Sequence, residues 1–253
     1  MSVVSLPHER LKEKVEELYS KRKRAIRKQD FDIFHYPVQQ KLWEADYYAE
    51  HIRNFNSEDF RPPTPGSSAT EPDTETVKTI FTLDKENISQ YCNLYIDGYF
   101  MSVMGIFDSL AHEVNVLFKL KPDPNADIYF PDIAEKMKKR MPNSHFYKYI
   151  YKEILHKRWW KTLKNFRNAT THEVIVAKKL KTSYNTITGQ ETLEEIPLPD
   201  NPKKRPFTYK KHRDLRNFIE DFHKNIQFSI EKAYKRLIKD LEKSKKLPIE
   251  VQF

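Results

Sequence analysis

YKKHRDLRNFIEDFHKNIQFSIEKAYKRLIKDLEK, residues 209–243, decides the fold class. Leu215, Ile219, Phe222, Ile226, Ile230, Ala233, Leu237 and Leu241 recur at three- and four-residue intervals, which places them on one side of a helix. The pattern holds for about seven turns. A helix of that length has to lay its apolar face against other helices or a second subunit. The expectation is a mainly α protein with a long C-terminal helix over about Tyr209 to Lys243.

The same periodicity organises the chain upstream. Asp84 to Phe118 reads as one long, mostly buried helix, with Ile88, Tyr91, Tyr95, Gly98, Tyr99, Ser102, Ile106, Leu110, Val114 and Leu117 as its stripe. Gly98, Ser102 and Gly105 would let a neighbouring helix come close. Near the amino terminus, Pro7 suits a first helical turn, followed by Leu11, Val15, Leu18, Ala25 and Ile26. The other face carries Lys21, Arg22, Lys23, Arg24, Arg27 and Lys28, a run that reads first as a solvated face and second as an RNA-docking surface. A second helix is predicted over Pro37 to Phe55. Shorter helices are predicted over Pro131 to Lys139, Ser144 to His156 and Arg158 to Phe166.

Two stretches break the helical pattern. Residues 57–83 contain Arg-Pro-Pro-Thr-Pro-Gly-Ser-Ser and cannot build a core, so they read as a loop or linker between an amino-terminal helical pair, residues 1–56, and a main domain, residues 84–246. Val174 to Val176 and Thr192 to Ile196 are β-biased around Asn185 to Gly189, which predicts a small inserted hairpin at about residues 174–198. Pro197, Pro199, Pro202 and Pro206 then make a rigid basic connector.

Composition sets limits. Only four glycines among 253 residues, with abundant Lys, Glu and Leu, favour long helices over a turn-rich β fold. A net charge of +9 suits a polyanionic partner. One cysteine, Cys92, excludes an intramolecular disulfide, and no Cys/His zinc spacing occurs, so neither a metal nor another cofactor is expected. Met1 to Arg10 lacks an apolar secretory core, and the apolar stretch around Tyr99 to Phe107 is too short and interrupted to span a bilayer. A soluble cytoplasmic protein with no membrane partner is expected.

Chemistry concentrates at Arg167-Asn168-Ala169-Thr170-Thr171-His172. A guanidinium matches phosphate oxygens and keeps its charge; an imidazole exchanges protons near neutral pH; a carboxamide orients a hydroxyl or a phosphate oxygen. Together they can cleave a phosphodiester without metal. Arg158, Lys161 and Lys164 on the preceding basic aromatic helix are candidate RNA contacts. Trp159 and Trp160 fit either base stacking or a core or dimer contact. Arginine followed by four to six residues and then histidine occurs four times, at Arg140/His145, Arg167/His172, Arg205/His212 and Arg216/His223, against roughly one or two expected by chance. Arg140 and His145 straddle a proline turn, Arg205 lies in the connector, and Arg216 and His223 sit close to the apolar face of the last helix. Only the Arg167 match falls where a helix gives way to an extended segment. Asp108, His112 and Asn115, with Glu113 beside them, form a polar stripe that is either solvent-facing or, with Thr171, lines the same cleft. The competing structural reading is that Arg167 and His172 pin a helix junction.

A helical domain whose late helix carries Arg-Asn-x-x-x-His resembles the HEPN superfamily, over roughly Asp84 to Lys243. The resemblance implies a homodimeric bundle joining two motifs across a two-fold axis. It also implies a metal-independent ribonuclease, often found in toxin–antitoxin or defence systems, with an antitoxin or regulatory protein as a further partner. In that reading Arg167, Asn168 and His172 are catalytic. The alternatives are a non-catalytic RNA- or nucleotide-binding module and a helical scaffold.

Overall fold

The computed structural model describes residues 5–20, 28–55, 74–120, 128–172, 181–185, 190–204, 206–211 and 213–243. Its helices are α1 (Ser5–Ser20), α2 (Lys28–Arg53), α3 (Thr74–Phe118), α4 (Phe130–Arg140), α5 (His145–Tyr149), α6 (Arg158–His172) and α7 (Leu215–Lys243). A π-helical segment, Ile150–Leu155, follows α5. Two strands, β1 (Lys181–Asn185) and β2 (Gln190–Glu195), pair antiparallel. The β-biased Val174 to Val176, the basic run Lys21 to Arg27 and the proline-rich residues 57–73 lie outside the described residues.

The chain divides into two compact units. The first comprises Met1–Ala45, Met101–Lys164 and Phe222–Phe253; the second comprises Asp46–Phe100 and Asn165–Asp221. In the first, Leu11, Val15, Phe31, Val38, Phe107, Leu110, Val114, Met137, Ile230 and Leu237 are buried. Fully burying one such side chain is worth about 1.5–3 kcal/mol. Trp160 is only 4 % exposed and meets Phe107 edge-on at 4.9 Å, while Trp159 meets Phe222 at 6.1 Å. Trp160 therefore belongs to this core, and the half-buried Trp159 packs against its edge.

The small residues of α3 lie where α2 approaches. In the second unit, a Cβ on Gly98 would run into the ring of Tyr48. In the first, Ser102 Oγ donates to Glu44 Oε2 at 3.2 Å, and a Cβ on Gly105 would meet Lys41 Cδ at 3.0 Å. The buried stripe of α3 in the second unit is Cys92, Ile96, Tyr99 and Phe100, whereas Tyr91 is 46 % exposed. The expected stripe is thus displaced by one position at Tyr91 and Tyr95, and it holds at Tyr99, Ser102, Ile106, Leu110, Val114 and Leu117, all of them buried.

α2 begins at Lys28 instead of Pro37, and α3 at Thr74, inside the expected loop, instead of Asp84. Two further differences from the sequence expectation have identifiable reasons. Ser144 to His156 is not one α-helix. Its buried Phe146, Ile150 and Ile154 recur every four residues, a spacing that drifts by about 40° per step in an α-helix. The wider π turn brings them back into line. The start of α5 is held by Asp240 of α7, which accepts from Ser144 Oγ (2.6 Å), His145 N (2.8 Å) and Phe146 N (2.9 Å). Finally, α7 begins at Leu215 instead of Tyr209. Asp200 draws the preceding chain into a connector by accepting from Thr208 Oγ1, Lys210 N and Lys211 N, each at 2.9 Å. Asp214 then accepts from Arg216 N at 2.7 Å at the head of the helix.

Within the first unit Glu113 is fully buried. His35 Nδ1 donates to its Oε1 at 2.5 Å, and the Tyr234 hydroxyl donates to its Oε2 at 2.9 Å. Burial, and then the Glu113 carboxylate, hold the Tyr234 phenol well above its ordinary range, so it remains a donor. Glu113 ties α2, α3 and α7 together. It is not part of a solvated stripe.

Burial leaves a different mark on Asp97 in the second unit. Its carboxyl is raised from 3.8 to about 6 by desolvation. An acid with a raised folded pKa contributes no penalty below its unfolded value. The penalty grows as pH climbs from 3.8 towards 6 and is complete above that. Asp97→Asn is expected to raise the melting temperature at about pH 8 and to lose that advantage near pH 4. Melting curves of both proteins across this range check it; a pH-independent difference would contradict it.

Candidate active site

The Arg167 block is helical throughout, which corrects the expected helix break after Phe166. α6 continues to His172 because its buried side supports it: Phe166, Ala169 and Thr170 are at most 7 % exposed. Phe166 stacks on Phe100 at 5.1 Å with the planes 5° apart, and packs on Phe218 at 5.4 Å. Thr170 Oγ1 donates to the Arg167 carbonyl at 3.0 Å, which accommodates a β-branched hydroxyl residue inside the helix.

That packing positions the polar residues. Asn168 is exposed, and Arg167 is half-buried with Nη1 donating to Asn168 Oδ1 at 3.3 Å. The contact turns the Asn168 carbonyl towards the guanidinium. Asn168 and His172 are four residues apart, hence on one helical face, and Thr171 stands in the same relation to Arg167. For Thr171 and His172 the described structure extends to the backbone alone. His172 closes the helix as its last residue.

The remaining candidates are distributed as follows. Arg158, Lys161 and Lys164 are exposed on α6 and belong to the first unit, as do Asp108, His112 and Glu113, whereas Arg167, Asn168, Thr171 and His172 belong to the second. Asp108 and His112 are half-buried, while Asn115 is buried with Glu113. Among the described residues no group of His, Cys, Asp and Glu could hold a metal ion, and no helix is long and apolar enough to cross a membrane.

The rival arginine–histidine matches have structural partners. Arg140 Nη1 donates to the carbonyl of Lys119 at 3.0 Å, where α3 ends in a left-handed residue with φ 44°. Lys243 Nζ donates to His145 Nε2 at 2.7 Å. Arg216 Nη2 lies 3.0 Å from Asp214 Oδ2, and His223 is only 6 % exposed. The Arg216 guanidinium and the Ile196 and Arg216 amides outweigh burial and hold the Asp214 carboxyl below its ordinary range. Arg205 and His212 lie outside the described residues.

Sequence reasoning missed the polar assembly at Glu113, because His35 and Glu113 are 78 positions apart and each sits within an apolar pattern. The only advance sign was a carboxylate at a position where helical phase demands an apolar side chain.

The helical architecture has a family assignment. The model of the HEPN_Cthe2314-like HEPN family matches residues 34–242, and the chain belongs to that family. The match reaches from α2 to the last turn of α7, so it extends farther towards the amino terminus than the resemblance read from the motif. No curated protein and no solved structure matches the chain.

Proposed function

We propose that the protein is a metal-independent endoribonuclease acting on single-stranded RNA, with its site completed by a second copy across a two-fold axis. The observation that carries this reading is the Arg167–Asn168 hydrogen bond, one helical turn before His172, inside the span of the family match. Arg167 holds two oxygens of the scissile phosphate and stabilises the charge that accumulates as the fifth oxygen approaches phosphorus. Asn168 orients the ribose 2′-hydroxyl. His172 takes the proton from that hydroxyl, the 2′ oxygen attacks phosphorus, and the P–O5′ bond breaks. The second copy's His172 gives a proton to the departing 5′ oxygen. One histidine per chain serves both proton transfers only if two chains meet, which is why the dimer is part of the proposal. A nuclease of this kind needs restraint in the cell, which fits a toxin or defence setting with a neutralising partner.

Wild-type protein incubated with single-stranded RNA in EDTA tests the reading. The expected products carry 2′,3′-cyclic phosphate and 5′-hydroxyl ends, with the matching DNA left intact. Cleavage of DNA, or loss of activity in chelator, would overturn the mechanism. RNA binding without cleavage would favour a binding module, for which the exposed Arg158, Lys161 and Lys164 are the supporting observation.

A further inference from the structure

A cleft of about 520 Å³ opens between α1 and α7 in the first unit. Arg10 and Lys14 line one wall; Lys232, Lys235, Arg236 and Lys239 line the other. The spacing explains how they meet. On each helix these positions recur at three- and four-residue steps, so they share a face. Behind them the buried Leu11 and Val15 of α1 and Ala233 and Leu237 of α7 fix those faces in the fold.

Crowding cations in this way is unfavourable for the empty protein. Arg10/Lys14, Lys232/Arg236 and Lys235/Lys239 are like-charge pairs at i,i+4, each of which disfavours its helix. The cleft is lined by three carboxylates, Glu13, Glu17 and Glu242, against six cations, and Glu231 pairs with Lys235 from beside it. One of the three, Glu17, pairs with Lys14 at 2.8 Å. The balance is positive, in a concave site where field lines converge.

The length of the basic row indicates the shape of the missing anion. Helical rise separates Lys232 from Lys239 by about 10 Å along α7. That is longer than a single phosphate, so the row suits an extended anion that carries more than one. Phe228 is 54 % exposed one turn before Lys232, whose Nζ lies 4.1 Å from the ring centroid. An exposed ring at the end of a phosphate track offers a base a stacking face.

We propose that the α1–α7 cleft binds a run of consecutive phosphates, supplied by the backbone of single-stranded RNA or by a free linear polyphosphate. This contact is separate from the chemistry assigned to Arg167 and His172 and does not require it.

Binding is measured on full-length protein in a His172→Ala background, so that cleavage cannot consume the probe. The probes are a labelled oligouridylate and inorganic tripolyphosphate. Lys232→Glu/Lys239→Glu is compared with Lys138→Glu/Lys152→Glu, which alters net charge equally at exposed positions outside the cleft. Circular dichroism verifies folding, and Lys232→Gln/Lys239→Gln replaces the reversal if that variant does not fold. The cleft variant is expected to lose about tenfold or more in affinity for the bound probe, and the control less than about threefold. If RNA is the source, Phe228→Ala weakens oligouridylate binding and leaves tripolyphosphate unaffected. If free polyphosphate is the source, tripolyphosphate binds the more tightly and Phe228→Ala changes nothing. Equal losses in cleft and control variants, or no binding of either probe by the His172→Ala parent, overturn the proposal. Intact cleft binding in a wild type that cleaves no RNA would instead remove the nuclease reading alone.

Discussion

His172→Ala is expected to lower the rate of RNA cleavage by about a thousandfold, within the range removed with a general acid or base. Arg167→Ala is expected to lower it by about a hundredfold to a thousandfold, through lost stabilisation of charge at phosphorus. The backbone of α6 gives both changes a controlled setting. The helix is held by Phe166, Ala169 and Thr170, none of which is altered, so circular dichroism and melting behaviour should match the wild type. Arg140→Ala/His145→Ala removes another match to the same spacing and should leave cleavage within about twofold of wild type. Adding His172→Ala protein to wild type should reduce activity more than simple dilution does, because each mixed dimer lacks one of its two imidazoles. Unchanged cleavage by His172→Ala would end the catalytic reading. Dilution-proportional loss on mixing would end the two-fold site.

Glu113→Ala is expected to destabilise the first unit by about 3–5 kcal/mol, the scale seen when a buried polar or ionic partner is deleted. His35 and Tyr234 would each lose an acceptor in a region that water does not reach, since Glu113, His35 and Tyr234 are at most 1 % exposed. For a chain of this size the change corresponds to a fall of roughly 10 °C in melting temperature. Glu113→Gln keeps the shape and one acceptor oxygen and should be milder. Adding Tyr234→Phe to Glu113→Ala should cost less than the two separate effects combined, because the Phe variant removes the very hydroxyl that Glu113→Ala strands. Chemical denaturation of wild type, both Glu113 variants, Tyr234→Phe and the double variant provides the comparison. A Glu113→Ala protein within about 1 kcal/mol of wild type would show that the site relaxes or hydrates instead.

Helical periodicity made most of the architecture legible, and its failures have a common origin. The apolar stripe of α7 is repeated often enough that its phase is unambiguous, and Ile219, Ile226, Ile230 and Leu237 are all buried. On α3 two adjacent phases were available. Spacing from Ile88 ran through Tyr91 and Tyr95, but packing buried Cys92 and Ile96. The start of α7 was misplaced because the competing bonds come from Asp200, a residue outside the helical pattern. At the candidate site, Arg167, Asn168 and His172 were visible as a motif. Continuity of the helix through them was not, because it depends on Phe166 finding Phe100 and Phe218. Local pattern carries the residue types and approximate elements; contacts between distant positions decide where each element stops and which polar groups are shut away from water.

Cys92 offers a practical handle on these two compact units. It is the chain's sole sulfhydryl, 1 % exposed in the second unit, with burial pushing its thiol up to about 12. An alkylating reagent at neutral pH therefore meets neither an accessible sulfur nor a thiolate until that part of the chain opens. The rate of adduct formation becomes a clock for transient opening around α3 in the second unit. Read beside denaturation of Glu113 variants, that clock would distinguish a loss confined to the first unit from unravelling of the whole chain.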